Sequence, residues 1–203
     1  MKTMIVALCL SWLLVACQRD GTSGSGTGDD GKFADTATER LDRRNDGARL
    51  EDIGMEFASF PELKQTTLDG GEFDLSAYRG KWVVVNFWAT WCTPCLREIG
   101  ELSALQRDDA RIEVVGVAYE ETTPERMRAF LRDHPADYPV ILVDPGRRPG
   151  DFPAPAGLPV SYLLAPDGRV TRRFLGAVTA AMIQNTIEEM EERSADRRDD
   201  GSS

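Results

Sequence analysis

The chain is poor in histidine, in positive charge and in long apolar runs. Its one histidine, His134, and its four cysteines leave little from which to build a metal centre. With 24 basic against 34 acidic residues the formal charge is −10, which repels phosphate and argues against nucleic acid as a partner. The apolar stretch from Met4 to Ala16 is shorter than the ~20 residues a membrane-spanning helix needs. What is present, 41% hydrophobic and 29% charged residues, is the composition of a soluble globular protein. A length of 203 residues suits one domain with less structured ends.

The short apolar run has its own meaning. Lys2 followed by Met4–Ala16 reads as a secretory signal. Its end, Leu14-Val15-Ala16-Cys17, resembles the lipobox of bacterial lipoproteins, which implies cleavage after Ala16 and a lipid on Cys17. Cys9 is then discarded, and Cys92 and Cys95 are the only thiols left. Loss of Lys2 leaves 23 basic against 34 acidic residues, a formal charge of −11. The expected location is periplasmic or otherwise extracytoplasmic, lipid-anchored to a membrane, where a dithiol stays reduced only if electrons are supplied. Gln18, in place of Asp, favours the outer membrane in a Gram-negative cell.

Residues 17–52 hold GTSGSGTGDDG and a charged stretch with little to bury, and read as the lipidated Cys and a flexible tether. As a coil its typical span is about 30 Å, with a limit of roughly 100 Å. Residues 53–193 carry the domain and 194–203 a solvated, disordered tail. Within the domain, Glu62–Thr67 and Glu72–Asp74 flank the turn signal LDGG and predict a hairpin. Trp82–Phe87 is a nearly continuous apolar run, as in a central strand covered on both faces. Leu96, Ile99, Leu102 and Leu105 mark one face of a helix. Strand Ile112–Ala118 and helix Thr123–Asp133, capped by Thr123 before Pro124, come next. Strands Val140–Val143, Val160–Leu164 and Val170–Leu175 follow, then a helix faced by Met182, Ile183, Ile187 and Met190. The order predicts an α/β domain, a central mixed sheet with helices on both faces and an N-terminal β-hairpin extension.

The pair in WATWCTPC, Trp88 to Cys95, admits few chemistries. A c-type haem site needs His after the second Cys, where Leu96 stands. Structural zinc needs four ligands, against two thiols and one imidazole, and His134 reads as a helix-end residue. A purely structural disulfide would close too small a loop to stabilise the fold by much. A redox switch remains. The strand ending at Trp88 and the helix beginning near Cys92 place the first thiol at a helix N-terminus, where unpaired N–H groups favour a thiolate. Pro94 is tolerated in that first turn. Cys92 is thus the expected nucleophile and Cys95 the resolving thiol.

WATWCTPC, preceded by GKWVVVNF and followed by Glu98, together with LPVSYLLAPDGRV, resembles the TlpA/ResA-like branch of the thioredoxin superfamily. The resemblance covers roughly Phe57 to Glu192. It implies a thioredoxin-like fold and a disulfide reductase without a cofactor. It implies a cis Pro159 facing the dithiol, Leu158 backbone free to pair with substrate, and Trp91 beside it as a further substrate-binding residue. It assigns Glu98 the handling of protons for the buried thiol, the counterpart of thioredoxin's buried Asp being Asn86 here. The less favoured alternatives are an exposed helix glutamate for Glu98 and an ordinary strand-start proline for Pro159. The chain departs from the family at Gly100, where Pro is common, and in the Pro/Gly-rich stretch Asp144–Gly157, which reads as a specificity loop or as slack.

Thr93 and Pro94 bring no charge to the pair, and a carboxylate at Glu98 disfavours a thiolate, so the expected direction is reduction of substrate. The resemblance implies disulfide-containing envelope proteins as substrates, as in cytochrome c or copper-site assembly, and a membrane thiol donor of the DsbD/CcdA type. Two rivals stand beside this reading. A peroxiredoxin-like peroxidase carries PxxxTxxC, but Val85 and Ala89 occupy the Pro and Thr positions. A copper-binding chaperone would use soft thiolates, but the usual CxxxC plus His is lacking.

Overall fold

The computed structural model describes residues 48–49 and 60–200, with side chains from 60 to 196. The expected signal peptide, Cys17 and most of the tether lie outside the described residues. Among the described residues, eight strands run in chain order as β1 (Ala48–Arg49), β2 (Lys64–Thr66), β3 (Glu72–Asp74), β4 (Trp82–Trp88), β5 (Ile112–Tyr119), β6 (Val140–Val143), β7 (Val160–Leu164) and β8 (Val170–Leu175). The helices are α1 (Thr93–Asp108), α2 (Pro124–Asp133) and α3 (Ala180–Asp200). Strands β2 and β3 form the expected hairpin as a separate sheet. The other six order as β1-β8-β7-β4-β5-β6.

The sheet is mixed, with β4 and β6 parallel to β5 on its two sides and β7 antiparallel to β4. Strand β4 is buried at every position, which accounts for its unbroken apolar sequence. Its side chains still alternate: Trp82, Val84 and Trp88 join one core, Val83, Val85 and Phe87 the other. The buried faces of all three helices share the first core, through Ile99, Leu102 and Leu105 of α1, Met127 of α2, and Ile183 and Ile187 of α3. Each such side chain contributes about 1.5–3 kcal/mol by leaving water. Thr123 caps α2 as expected, its hydroxyl accepting from the Arg126 N–H at 3.3 Å.

Helices expected on both faces are therefore met by a more one-sided layout. Among the described residues the second face carries a single 3-10 turn, Leu75–Tyr78, together with the hairpin and the 144–157 loop. The reason is topological. The β4-α1-β5 and β5-α2-β6 crossovers step in the same direction along the sheet, and right-handed crossovers in one direction put their helices on one side.

The Pro/Gly-rich loop is not slack. Phe152 is fully buried against Phe87 and Tyr162, with ring centroids 6.0 and 5.3 Å away. The Asp151 N–H donates to the Glu62 carbonyl at 3.0 Å, and the Glu62 N–H donates to Asp151 Oδ2 at 2.9 Å. Gly150 has φ +62°, and a Cβ there would lie 2.0 Å from the Glu62 carbonyl oxygen, so only glycine fits. Phe152→Ala is expected to lower stability by about 3–5 kcal/mol through the cavity it leaves. Urea unfolding with unchanged m-value checks this; a loss under about 1 kcal/mol would show that the loop does not seal the core.

Both ends depart from expectation. Ala48–Arg49, assigned to the tether, pairs antiparallel with Arg173 and Arg172 of β8. Strand β8 would otherwise expose an unpaired edge. Helix α3 runs through the expected tail to Asp200. A charged helix face needs no burial to persist once a packed segment has nucleated it. Among the described residues no helix is long and apolar enough to cross a membrane.

Candidate active site

The dithiol sits where β4 hands over to α1. Cys92 is the N-cap of α1, with Pro94 in the first turn, and it is disulfide-bonded to Cys95 three residues on. The spacing is that of one helical turn, so the pair needs no tertiary help to meet. Cys92 is 4% exposed and Cys95 0%. The outward sulfur is thus more covered in this oxidised form than the sequence suggests, while the order of the two is as expected. Trp91, immediately before it, stands 69% exposed. The helix runs unbroken past Gly100, whose missing side chain faces open space.

Pro159 is buried and its peptide bond with Leu158 is cis. The register Phe87↔Val160 brings the start of β7 to the end of β4, at the edge of the sheet from which the dithiol projects. The ladder to β8 begins at Val160, and the Pro159 carbonyl accepts from the Gly176 N–H at 2.9 Å. Leu158 stands just beyond that ladder, half-buried. Beside it lies an apolar groove of about 540 Å³ walled by Pro153, Pro155, Leu158, Pro159 and Leu175.

Glu98 is not an exposed helix glutamate. It is 1% exposed and lies inside the first core. Asn86 Nδ2 donates to its Oε1 at 2.9 Å and the Val178 N–H to its Oε2 at 2.9 Å. Asn86 Nδ2 also donates to Ser161 Oγ at 2.9 Å, which links the carboxylate to β7. Burial pushes the Glu98 carboxyl up to about 7, and the two donors offset this only in part. Buried Tyr138 is held above the usual phenol range by its own burial first and by the Glu98 charge second. His134 caps the end of α2 and stacks on Phe130 at 4.3 Å, a helix-end residue as expected.

Three site residues escaped the sequence reading. Val178 and Ser161 act through a backbone N–H and a hydroxyl from segments 80 and 75 residues away from their partners, and no local signal marks them. Glu120, one residue past β5, accepts from both the backbone N–H and the hydroxyl of Thr90, at 2.8 and 2.9 Å. Its position at the end of an apolar strand beside β4 was the one available clue.

With this geometry in hand, the likenesses to known proteins are specific. Residues 58–174 match the model of the AhpC/TSA family. The thiol:disulfide interchange protein HelX of Rhodobacter capsulatus is 34% identical over 117 residues, 58% of this chain and 65% of HelX, just under two thirds of that protein. The thiol-disulfide oxidoreductase ResA of Bacillus cereus is 26% identical over 132 residues, 64% of this chain and 75% of ResA. A solved thiol:disulfide interchange protein of the thioredoxin family from Chlorobium tepidum superposes with a TM-score of 0.55 at 23% identity, covering 66% of this chain and 97% of that one, a likeness of fold. The chain belongs to the AhpC/TSA family, has a thioredoxin-like fold, and is similar to the thiol-disulfide oxidoreductase ResA and the thiol:disulfide interchange protein HelX.

Proposed function

We propose that the protein is an exported, lipid-anchored disulfide reductase of the cell envelope. The observation that carries this reading is a CxxC pair capping a helix beside a cis-proline, with a buried carboxylate one turn behind it. The Cys92 thiolate attacks one sulfur of a substrate disulfide, forming a mixed disulfide and releasing the other substrate sulfur as a thiolate, which takes up a proton. Cys95 gives its proton to Glu98 and attacks Cys92 Sγ, which frees the second substrate sulfur and leaves the Cys92–Cys95 disulfide. Two electrons pass to the substrate. A membrane thiol donor of the DsbD/CcdA type restores the dithiol. Trp91, the Leu158 backbone and Pro159 hold the substrate segment. The names of its relatives support disulfide interchange, and the reading extends it to envelope proteins such as those of cytochrome c or copper-site assembly.

The uncharged Thr93-Pro94 insert and the carboxylate of Glu98 support reduction as the direction. The test is insulin reduction by dithiothreitol, with the full chain in detergent. The expected result is acceleration, without consumption of hydrogen peroxide and with membrane partition lost in Cys17→Ser. A chain that leaves the insulin rate unchanged refutes the reductase, and peroxide turnover in its place would assign a peroxidase.

A further inference from the structure

The turn that carries the dithiol is gripped from the neighbouring strand. Parallel pairing of β4 with β5 runs to Trp88↔Ala118, and two residues farther on Thr90 meets Glu120. Both carboxylate oxygens of Glu120 are used on this one residue, Oε1 by the Thr90 N–H at 2.8 Å and Oε2 by the Thr90 hydroxyl at 2.9 Å. Hydrogen bonds to an ionised acceptor are about twice as strong as neutral ones. The Cys92 N–H in turn donates to the Ala89 carbonyl at 3.1 Å, so Thr90 and Trp91 lie inside a closed turn that Glu120 fastens. Glu120 is only 9% exposed, and among the described residues no ion pair is found for it.

We infer that Glu120 is a positioning residue of the redox site: its grip on Thr90 fixes the turn presenting Trp91 and Cys92, and its charge opposes a thiolate on Cys92. The inference rests on the reading of Cys92–Cys95 as the working redox pair. A thiolate at the N-terminus of α1 is favoured by the free N–H groups there. A buried carboxylate held on Thr90, two residues before Cys92, works against them, and destabilising the thiolate destabilises the dithiol form. The device therefore sets the pair toward the reducing side. Other charged groups lie near Glu120 or in α1. Glu98 lies behind it in α1 and Arg97 lies beside Glu98 in sequence. Glu121 follows Glu120, and Asp144, Arg147 and Arg148 line the cleft next to Glu120. The three arginines are exposed, so solvent and salt screen them, whereas Glu120 is shielded.

The test uses full chains carrying E120Q, T90S and T90V, equilibrated with reduced and oxidised glutathione and scored for disulfide content. E120Q keeps one acceptor and loses the charge. Its equilibrium constant is expected to move about fivefold toward the dithiol, with the Cys92 thiol titrating at lower pH than in the wild type. T90V loses only the hydroxyl bond, and is expected to slow insulin reduction severalfold while T90S retains the wild-type rate. An E120Q equilibrium constant within about twofold of wild type, with an unmoved Cys92 titration, overturns the role of Glu120 even if thermal stability falls. Should E120Q fail to fold, equal insulin rates in T90S and T90V overturn it instead. A wild-type chain that does not cycle sinks the redox reading itself, whereas a cycling wild type with unmoved variants sinks only the inference about Glu120.

Discussion

Cys92→Ser is expected to lower the rate of insulin reduction by on the order of 10³-fold or more, because no other thiol can begin the exchange from this site. Cys95→Ala should behave differently. It keeps the nucleophile and loses the group that frees it, so a mixed disulfide through Cys92 should accumulate with substrate. The two variants thus separate attack from resolution. Loss of the four-residue loop costs at most about 2 kcal/mol of stability by the loop-closure argument, so unfolding does not explain the loss of rate. Chromatographic isolation of the Cys95→Ala adduct from the envelope, and its release by dithiothreitol, is the measurement. If Cys92→Ser retains activity, or if adducts form in a Cys92→Ser/Cys95→Ala chain, the assignment of Cys92 is wrong.

Glu98→Gln should remove a pH dependence that the wild type carries in both stability and rate. The carboxyl has an ordinary value of 4.5 when unfolded and about 7 when folded, so the folded state holds the proton more tightly. Stability from this group is full below about pH 4.5, is lost as pH rises through about 7, and is absent above it. The difference is on the order of 3 kcal/mol. Asp69, Asp74, Asp109 and Glu125, whose values are lowered by their own hydrogen bonds, slope the other way, so the readout is wild type minus variant. The absolute stability of Glu98→Gln is a poorer guide. Asn86 Nδ2 and the Val178 N–H both donate to Glu98, and a glutamine amide must turn its own N–H₂ toward one of them. Substrate reduction should fall by on the order of 10²-fold, with the limb near pH 7 lost, because a carboxylate near neutrality suits proton acceptance from Cys95. Superimposable pH–rate and pH–stability curves in the two proteins would remove Glu98 from the mechanism.

Much of this site was legible because its main parts are local. Two cysteines one turn apart meet wherever a helix begins between them, and Pro94 and the apolar spacing of α1 announce that beginning. The three strands from Val140, Val160 and Val170 match their sequence limits because each is a short β-branched run closed by turn residues. The Thr123 cap was legible for the same reason, since its donor is three residues away.

Where distant segments meet, the pattern falls silent. An apolar face shows that a helix is buried and says nothing of which side of a sheet it covers; that was decided by two crossovers of one hand and one direction. Asp144–Gly157 has the composition of a loose connection, and only the packing of Phe152 against Phe87 makes it the lid of the second core. Glu98 has the same sequence environment whether exposed or buried. Its depth comes from α3's approach, which aims the Val178 N–H at it across 80 residues. The residues by themselves determined which sulfurs pair and where the elements lie, because those depend on short-range backbone geometry. The tertiary structure alone decided the surroundings of those sulfurs, the buried Glu98 and the Glu120 grip on Thr90, because desolvation and long-range pairing exist only once separate strands and helices have closed around them.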